Sequence, residues 1–222
     1  MTPSHQMKQV LVVSAHPDDM EIGMGGTAAK IAAAGATITS AILTDGRRSP
    51  NPFEWTEEKM AKIRKEEASK AASVLGISEV VFFDLPDLKE SNYRLAKKRL
   101  EELIEKVQPT EIYTLNEQLD RHSTHRLAGQ LTVESIRDTE VSSVGSLWAY
   151  EVWGLFPAWD RIEYIDDQVA KKLLAIAQHK SQVASIPYGE VVGLNRWRAV
   201  FTDPQQTEPK GVYAEVFISL AP

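Results

Sequence analysis

Short β-branched or apolar runs alternate with longer amphipathic or alanine-rich segments along nearly the whole chain. Few folds accommodate that order. Gln9 to Ala15 is an apolar run centred on Val10 to Val13 and reads as a buried strand. Gly23 to Ala34 is small and alanine-rich, and Gly35 stops it as a C-cap glycine would. Ala36 to Leu43 reads as a second strand, Thr44 to Phe53 as a polar loop with Gly46, Pro50 and Pro52, and Thr56 to Leu75 as a charged amphipathic helix ending at Gly76. The alternation continues with a strand at Glu79 to Asp84, a loop at Leu85 to Ser91, a helix at Tyr93 to Val107 and a strand at Glu111 to Leu115. A polar segment, Asn116 to Arg126, precedes a helix at Leu127 to Arg137. Strands are expected at Ser146 to Trp153, Arg161 to Ile165 and Val212 to Ser219, with a helix at Asp167 to Gln178; Ser185 to Lys210 lacks periodicity and reads as irregular surface loops. This order implies parallel βαβ units and an α/β sheet covered on both faces. No linker or repeat divides the chain, so one domain over residues 1–222 is expected.

The composition removes several classes of function. A net charge of −6 argues against a broad nucleic-acid surface, which needs a basic face; Arg47-Arg48 is a small candidate for a local basic patch. The absence of cysteine excludes disulfides, thiol nucleophiles and thiolate metal sites. Any metal must sit on histidine and carboxylate, which suits zinc, iron(II) or manganese. The apolar run Val10 to Val13 is too short for a signal-peptide core, and no stretch approaches the ~20 apolar residues of a membrane span. A cytoplasmic protein with no membrane partner is the expectation.

Two polar clusters follow predicted strands at the same edge of the sheet. Ala15-His16-Pro17-Asp18-Asp19-Met20-Glu21 comes directly after the first. It stands where a dinucleotide-binding fold has its glycine fingerprint, but Gly23, Gly25 and Gly26 lack that spacing and come after the turn. A histidine with two adjacent carboxylates can hold a metal with one acid and leave the other beside its water as a base. The plainer use is a capping aspartate beside a surface histidine. Asp120-Arg121-His122-Ser123-Thr124-His125 follows the Glu111 to Leu115 strand. Histidines three apart can share one face of a turn, one binding metal while the other faces substrate, and Asp120 can hydrogen-bond an imidazole and favour its protonated form. The plainer use is a solvated loop. Arg64, in the alternating charges from Lys59 to Lys70, reads by position as part of a solvated helix face. Trp148, Trp153 and Trp159 offer a sugar-stacking surface, although burial is the commoner use of tryptophan; His5 and His179 read as surface residues.

At these residues the chain resembles the LmbE-like (PIG-L) family of zinc-dependent N-deacetylases, which act mainly on N-acetylglucosamine conjugates. The likeness runs from the A-H-P-D-D-x-E and G-x-G-G-T pattern at Ala15 to Thr27, through Leu43-Thr44-Asp45-Gly46, Arg64 to Ala68 and Pro86-Asp87, to Asp120 to His125, Ser181-Gln182 and Tyr213 to Phe217. It implies a Rossmann-like three-layer α/β sandwich with a mostly parallel sheet, and a homo-oligomer, trimer or hexamer. It further implies zinc on His16, Asp19 and His125, Asp18 as general base, His122 as oxyanion stabiliser and Arg64 in contact with substrate. Where the family usually reads H-P-D-H, this chain has Ser123-Thr124 in place of Pro-Asp. The long loop from Arg47 to Trp55 stands at the expected substrate rim.

The resulting expectation is hydrolysis of an N-acetyl group by metal-activated water, with Asp18 taking the proton and a protonated His122, oriented by Asp120, meeting the oxyanion. The partner is a small amino-sugar conjugate. Alternatives are a metal hydrolase acting on another amide, ester or phosphoester bond, and a sugar-binding member of the fold without turnover.

Overall fold

The computed structural model describes residues 8–201 and 210–221. Its centre is a seven-stranded sheet. β1 (Gln9–Ser14) is buried at every position after the first, as an apolar strand must be when both faces are covered. With β2 (Thr37–Thr44), β3 (Glu79–Leu85), β4 (Glu111–Leu115) and β5 (Ser146–Tyr150) it forms a parallel array in the order β3-β2-β1-β4-β5. β6 (Arg161–Tyr164) and β7 (Ala214–Ser219) extend it as β5-β7-β6 with antiparallel pairing.

The helices are α1 (Asp19–Ala33), α2 (Glu57–Leu75), α3 (Glu90–Val107), α4 (Ser123–Asp138), α5 (Val169–Ile176), α6 (Lys180–Val183) and α7 (Val191–Val200). α1, α2 and α5 pack together, and α3 packs on α4, so helices cover both sides of the sheet. The expected three-layer, mostly parallel architecture is the one observed. α2 shows why such segments become helices. Thr56 caps it by accepting from the Lys59 N–H (3.3 Å), Glu57 and Glu58 suit its N-terminal dipole, and Gly76 ends it at φ 82°. Its buried stripe, Met60, Arg64, Glu67, Ala68, Ala71, Ala72 and Leu75, has helical spacing but includes two charged residues.

Besides β5, which ends at Tyr150 rather than Trp153, and α3, which begins at Glu90 rather than Tyr93, three elements differ most from expectation. α1 begins at Asp19, inside the first polar cluster, rather than at Gly23. The glycines that obscured this are packing devices: a Cβ on Gly23 would lie 2.4 Å from the Tyr150 ring and 2.5 Å from the Glu151 carbonyl oxygen. α4 likewise begins at Ser123 and carries His125 within it. Within the expected loops of Ser185 to Lys210, Val191–Val200 is helical; it buries only Asn195, Arg198 and Ala199, so no apolar stripe announces it.

The topology places the site. The chain moves outward from β1 through β2 to β3, then returns to lay β4 on the other flank of β1, with Val12 beside Tyr113. Strand order therefore reverses between β1 and β4, and the carboxyl ends of those strands are where open α/β sheets bind ligands. Both polar clusters leave the sheet there. Among the described residues, no helix is long and apolar enough to cross a membrane.

Candidate metal centre and active site

The turn after β1 is held tightly. Asp18 sits at φ 113°, a conformation that costs a non-glycine residue about 1–3 kcal/mol and persists only where its surroundings enforce it. Arg64 on α2 supplies that enforcement: its guanidinium donates to Asp18 Oδ2 (3.0 Å), to the Pro17 carbonyl, to the Gly46 carbonyl (3.2 Å) and to Ser49 Oγ. Arg64 is only 2% exposed, so the solvated helix face suggested by the charge run does not apply to it. Glu67, three residues on, accepts from the Ser181 N–H (2.9 Å) and hydroxyl (2.6 Å), tying α6 to the same face of α2.

The second cluster meets the first across the reversal point. His16 Nδ1 lies 3.0 Å from His125 Nε2. Asp19 places Oδ1 3.2 Å from His125 Nε2 and Oδ2 3.7 Å from His16 Nδ1, while Oδ2 also accepts from the His16 N–H (2.7 Å). The His122 ring stands 4.9 Å from that of His16 and 4.7 Å from that of His125, and the ligating atoms of the three histidines lie within 4.8 Å of one another. Asp120 is used differently from the expectation that it orients the His122 imidazole. Its Oδ2 accepts from His125 Nδ1 (3.1 Å) and its Oδ1 from the His122 backbone N–H (2.8 Å). A carboxylate on Nδ1 leaves the Nε2 lone pair of His125 facing the other donors.

The donor set suits a divalent cation. Ligand atoms around a tetrahedral ion with ~2 Å bonds stand about 3.3 Å apart, and the separations among His16, Asp19 and His125 bracket that value. The local field also favours positive charge. Burial lowers the His125 pKa, but Asp19 and Asp120 outweigh it and bring the pKa to about 10. For Asp19, burial opposes ionisation, yet His125 and His16 hold its carboxyl well below the usual range. Burial pushes the neighbouring Asp18 carboxyl up against the pull of Arg64, with Asp19 adding to the rise. His122 is lowered by burial and by the two other histidines, which disfavours the protonated form expected of it.

A cavity of about 350 Å³ opens over these groups, lined among others by His16, Asp18, Asp19, His122 and Arg64. The Arg47 to Trp55 loop contributes Arg48, Ser49 and Pro50, as expected of a substrate rim. Arg47 is committed to Asp45, and Arg48 to Asp87 (2.7 Å). Three further lining residues, Trp153, Gln182 and Tyr188, arrive from separate segments. Gln182 had a sequence signal in the Ser181-Gln182 pair and Trp153 as one of three candidate stacking tryptophans, whereas Tyr188 had none. Trp148 and Trp159 are half-buried and packed by Arg161 and Arg198 respectively, so Trp153 alone of the three tryptophans faces the cavity. His179, expected at the surface, is fully buried with Nε2 3.6 Å from Glu21 Oε2. His5 lies outside the described residues.

Comparison with known proteins agrees with this architecture. Residues 11–136 match the family described as PIG-L, GlcNAc-PI de-N-acetylase. Diacetylchitobiose deacetylase of Thermococcus kodakarensis is 31% identical over 136 residues, which cover 60% of this chain and 51% of that protein. The chain thus spans about half the length of that relative. The N,N'-diacetylchitobiose deacetylase structure from Pyrococcus horikoshii superposes with a TM-score of 0.83 at 24% identity, covering 97% of this chain and 84% of that one, and shares its fold. The structure of GalB, the 4-carboxy-2-hydroxymuconate hydratase of Pseudomonas putida KT2440, gives a TM-score of 0.80 at 27% identity with 97% of each chain covered. A match over more than half its residues, on the fold and motifs described above, makes this chain a member of the PIG-L family.

Proposed function

We propose that this chain is a metal-dependent N-deacetylase that removes the acetyl group from a small N-acetylglucosamine-type conjugate. The observation that carries the reading is the convergence of His16 Nδ1, His125 Nε2 and the Asp19 carboxylate within 3.0–3.7 Å, with the unligated Asp18 carboxylate next in sequence. In this reading His16, Asp19 and His125 hold zinc, with iron(II) or manganese as substitutes. A bound ion of this kind acidifies water and polarises an amide carbonyl. Asp18 accepts the proton of the attacking water; its buried position and raised pKa suit a base that must later return that proton to the departing amine. Arg64 keeps the Asp18 carboxylate aimed at the cavity and acts as a positioning residue. His122 donates from its ring to the developing oxyanion. Asp120 fixes the tautomer of His125.

The hydratase relative supports a second reading, addition of water to a polarised carbon–carbon double bond of a polycarboxylate. Both arginines lining the cavity are already paired with carboxylates, Arg64 with Asp18 and Arg48 with Asp87, which favours a neutral amide over a polyanion. The deciding experiment offers the zinc-loaded chain a panel of N-acetylglucosamine conjugates and, separately, unsaturated polycarboxylates. Equal release of primary amine and acetate is expected from the former, reduced about a hundredfold or more by Asp18→Asn. Loss of absorbance from the unsaturated acids with no amine from any N-acetyl sugar would replace the first reading with the second.

A further inference from the structure

The geometry points to a second recognition element in the same cavity: an aromatic wall of Trp153 and Tyr188 that takes the apolar face of a pyranose ring. This inference rests on the reading of the site as one for amino sugars, and it names the residues that would select them.

Trp153 leaves β5 in the segment after Tyr150 and remains 46% exposed although its neighbours Glu151 and Gly154 are buried. Exposure of an indole is usually a matter of loose packing, but here the backbone around it is fixed. On one side Glu151 is gripped by the buried Arg198 and accepts from the Phe156 N–H. On the other, Gly154 lies so close to the second cluster that a Cβ would come within 2.2 Å of the Leu119 carbonyl oxygen and 2.6 Å of the Asp120 Cα. The indole is therefore carried on a segment braced against the loop that supplies Asp120 and His122. Its exposed surface belongs to the cavity over Asp18 and His16.

Tyr188 completes the wall from the other side, in a short 3-10 turn after Pro187. Its ring meets that of Trp153 edge to face, with centroids 6.5 Å apart. Its phenol has no hydrogen-bond partner among the described residues, and burial together with the nearby Asp18 carboxylate keeps it protonated. The hydroxyl is open to solvent, so a ligand hydroxyl can take the place of water there. The pair thus offers an apolar face with a polar edge, beside the carboxylates and histidines. A pyranose has the matching surface: axial C–H groups on one face and hydroxyls around its rim. An acyclic N-acetyl amine has neither.

The test uses the full zinc-loaded chain carrying Asp18→Asn to stop turnover, with N-acetylglucosamine and N-acetylethanolamine as probes and saturation-transfer NMR as the binding readout. Saturation should pass from aromatic side chains to the sugar ring protons. Adding Trp153→Ala should weaken N-acetylglucosamine about tenfold, Trp153→Phe should retain most affinity, and Tyr188→Phe should cost about threefold, while N-acetylethanolamine is unchanged throughout. With the Asp18 side chain restored, Trp153→Ala should raise KM for N-acetylglucosamine conjugates by a similar factor and leave kcat within about twofold. Equal weakening of both probes, no effect of Trp153→Ala, or no binding of the sugar would each overturn the wall. The two readings fail separately: sugar binding that depends on Trp153 without any amine release sinks the hydrolysis, and amine release with an unchanged KM in Trp153→Ala sinks only the wall.

Discussion

Asp120 and His122 are neighbours in sequence with opposite demands on the site. Asp120 touches His125 Nδ1 and stands away from the cavity, so its removal should act through the ligand rather than on the reaction. Asp120→Ala is expected to weaken zinc about 10–100-fold in a competition titration against a chelator, with activity restored by excess metal. His122 lines the cavity and is exposed. His122→Ala should keep zinc stoichiometric and lose about a hundredfold or more in kcat. If that variant is isolated without metal while Asp19→Ala retains it, the ion sits on the three histidines instead. The residues of both clusters were readable in the sequence because each cluster is contiguous, and a strand end aims it as a unit. Tyr188 was not, and Trp153 could not be told from Trp148 and Trp159, since Tyr188 and Trp153 each reach the cavity singly from separate segments. Asp120's partner was misread for a related reason: two imidazoles follow it, two and five residues on, and only the start of α4 decides that the more distant ring turns toward it.

α2 acts as a brace between two parts of the site that are distant in sequence. Its Arg64 grips the strained Asp18 turn and its Glu67 grips the start of α6, whose Gln182 lines the cavity. Glu67→Gln keeps one acceptor but sets an amide N–H₂ against the Ser181 donors. The cost of leaving such a buried group unsatisfied is about 1–3 kcal/mol. A thermal midpoint lower by several degrees and a higher KM are expected, with kcat little changed, measured by calorimetry and steady-state kinetics. An unaltered melting curve would mean that α6 is held by other contacts. The pattern R-x-x-E was visible in the sequence, but a helix of alternating charge gives no hint that this particular pair is buried. The Tyr213 to Phe217 signature is similar. Glu215 lies in β7, accepts from the Gly26 and Thr27 N–H groups and pairs with the fully buried Lys172 (2.7 Å), so it locks α1 and α5 to the sheet rather than reaching the cavity. Elements were readable wherever apolar periodicity marks them; α7 escaped because what it buries is largely polar.

Across the molecule, the carboxyl ends of β1 and β4 carry the chemistry, and the opposite edge of the same strands carries a charge network that joins the sheet. Glu111, the first residue of β4 and 5% exposed, pairs with Lys8 just ahead of β1, with Arg161 of β6 (2.7 Å) and with the Trp148 indole N–H of β5 (3.0 Å). Alternation of strands and helices made the parallel sheet readable, but no local pattern links residues 8, 111, 148 and 161, which only the final strand order brings together. Burial pushes the Glu111 carboxyl up, yet Lys8 and Arg161 outweigh it and hold the pKa below its ordinary value. An unfolded glutamate titrates near ~4.3. Because the folded pKa is the lower of the two, the unfolded chain binds the proton more readily, and the contribution to stability is complete above the unfolded value and lost as pH falls through the folded one. Glu111→Gln should therefore lower the thermal midpoint at pH 7 and leave a difference from the parent that shrinks steadily below about pH 4. Melting the two proteins in parallel across that range isolates Glu111 from the other carboxylates, whose titration both share. A difference that stays constant down to pH 3 would show that the glutamine is disfavoured for its packing, with the Lys8 and Arg161 pairs contributing no net charge stabilisation.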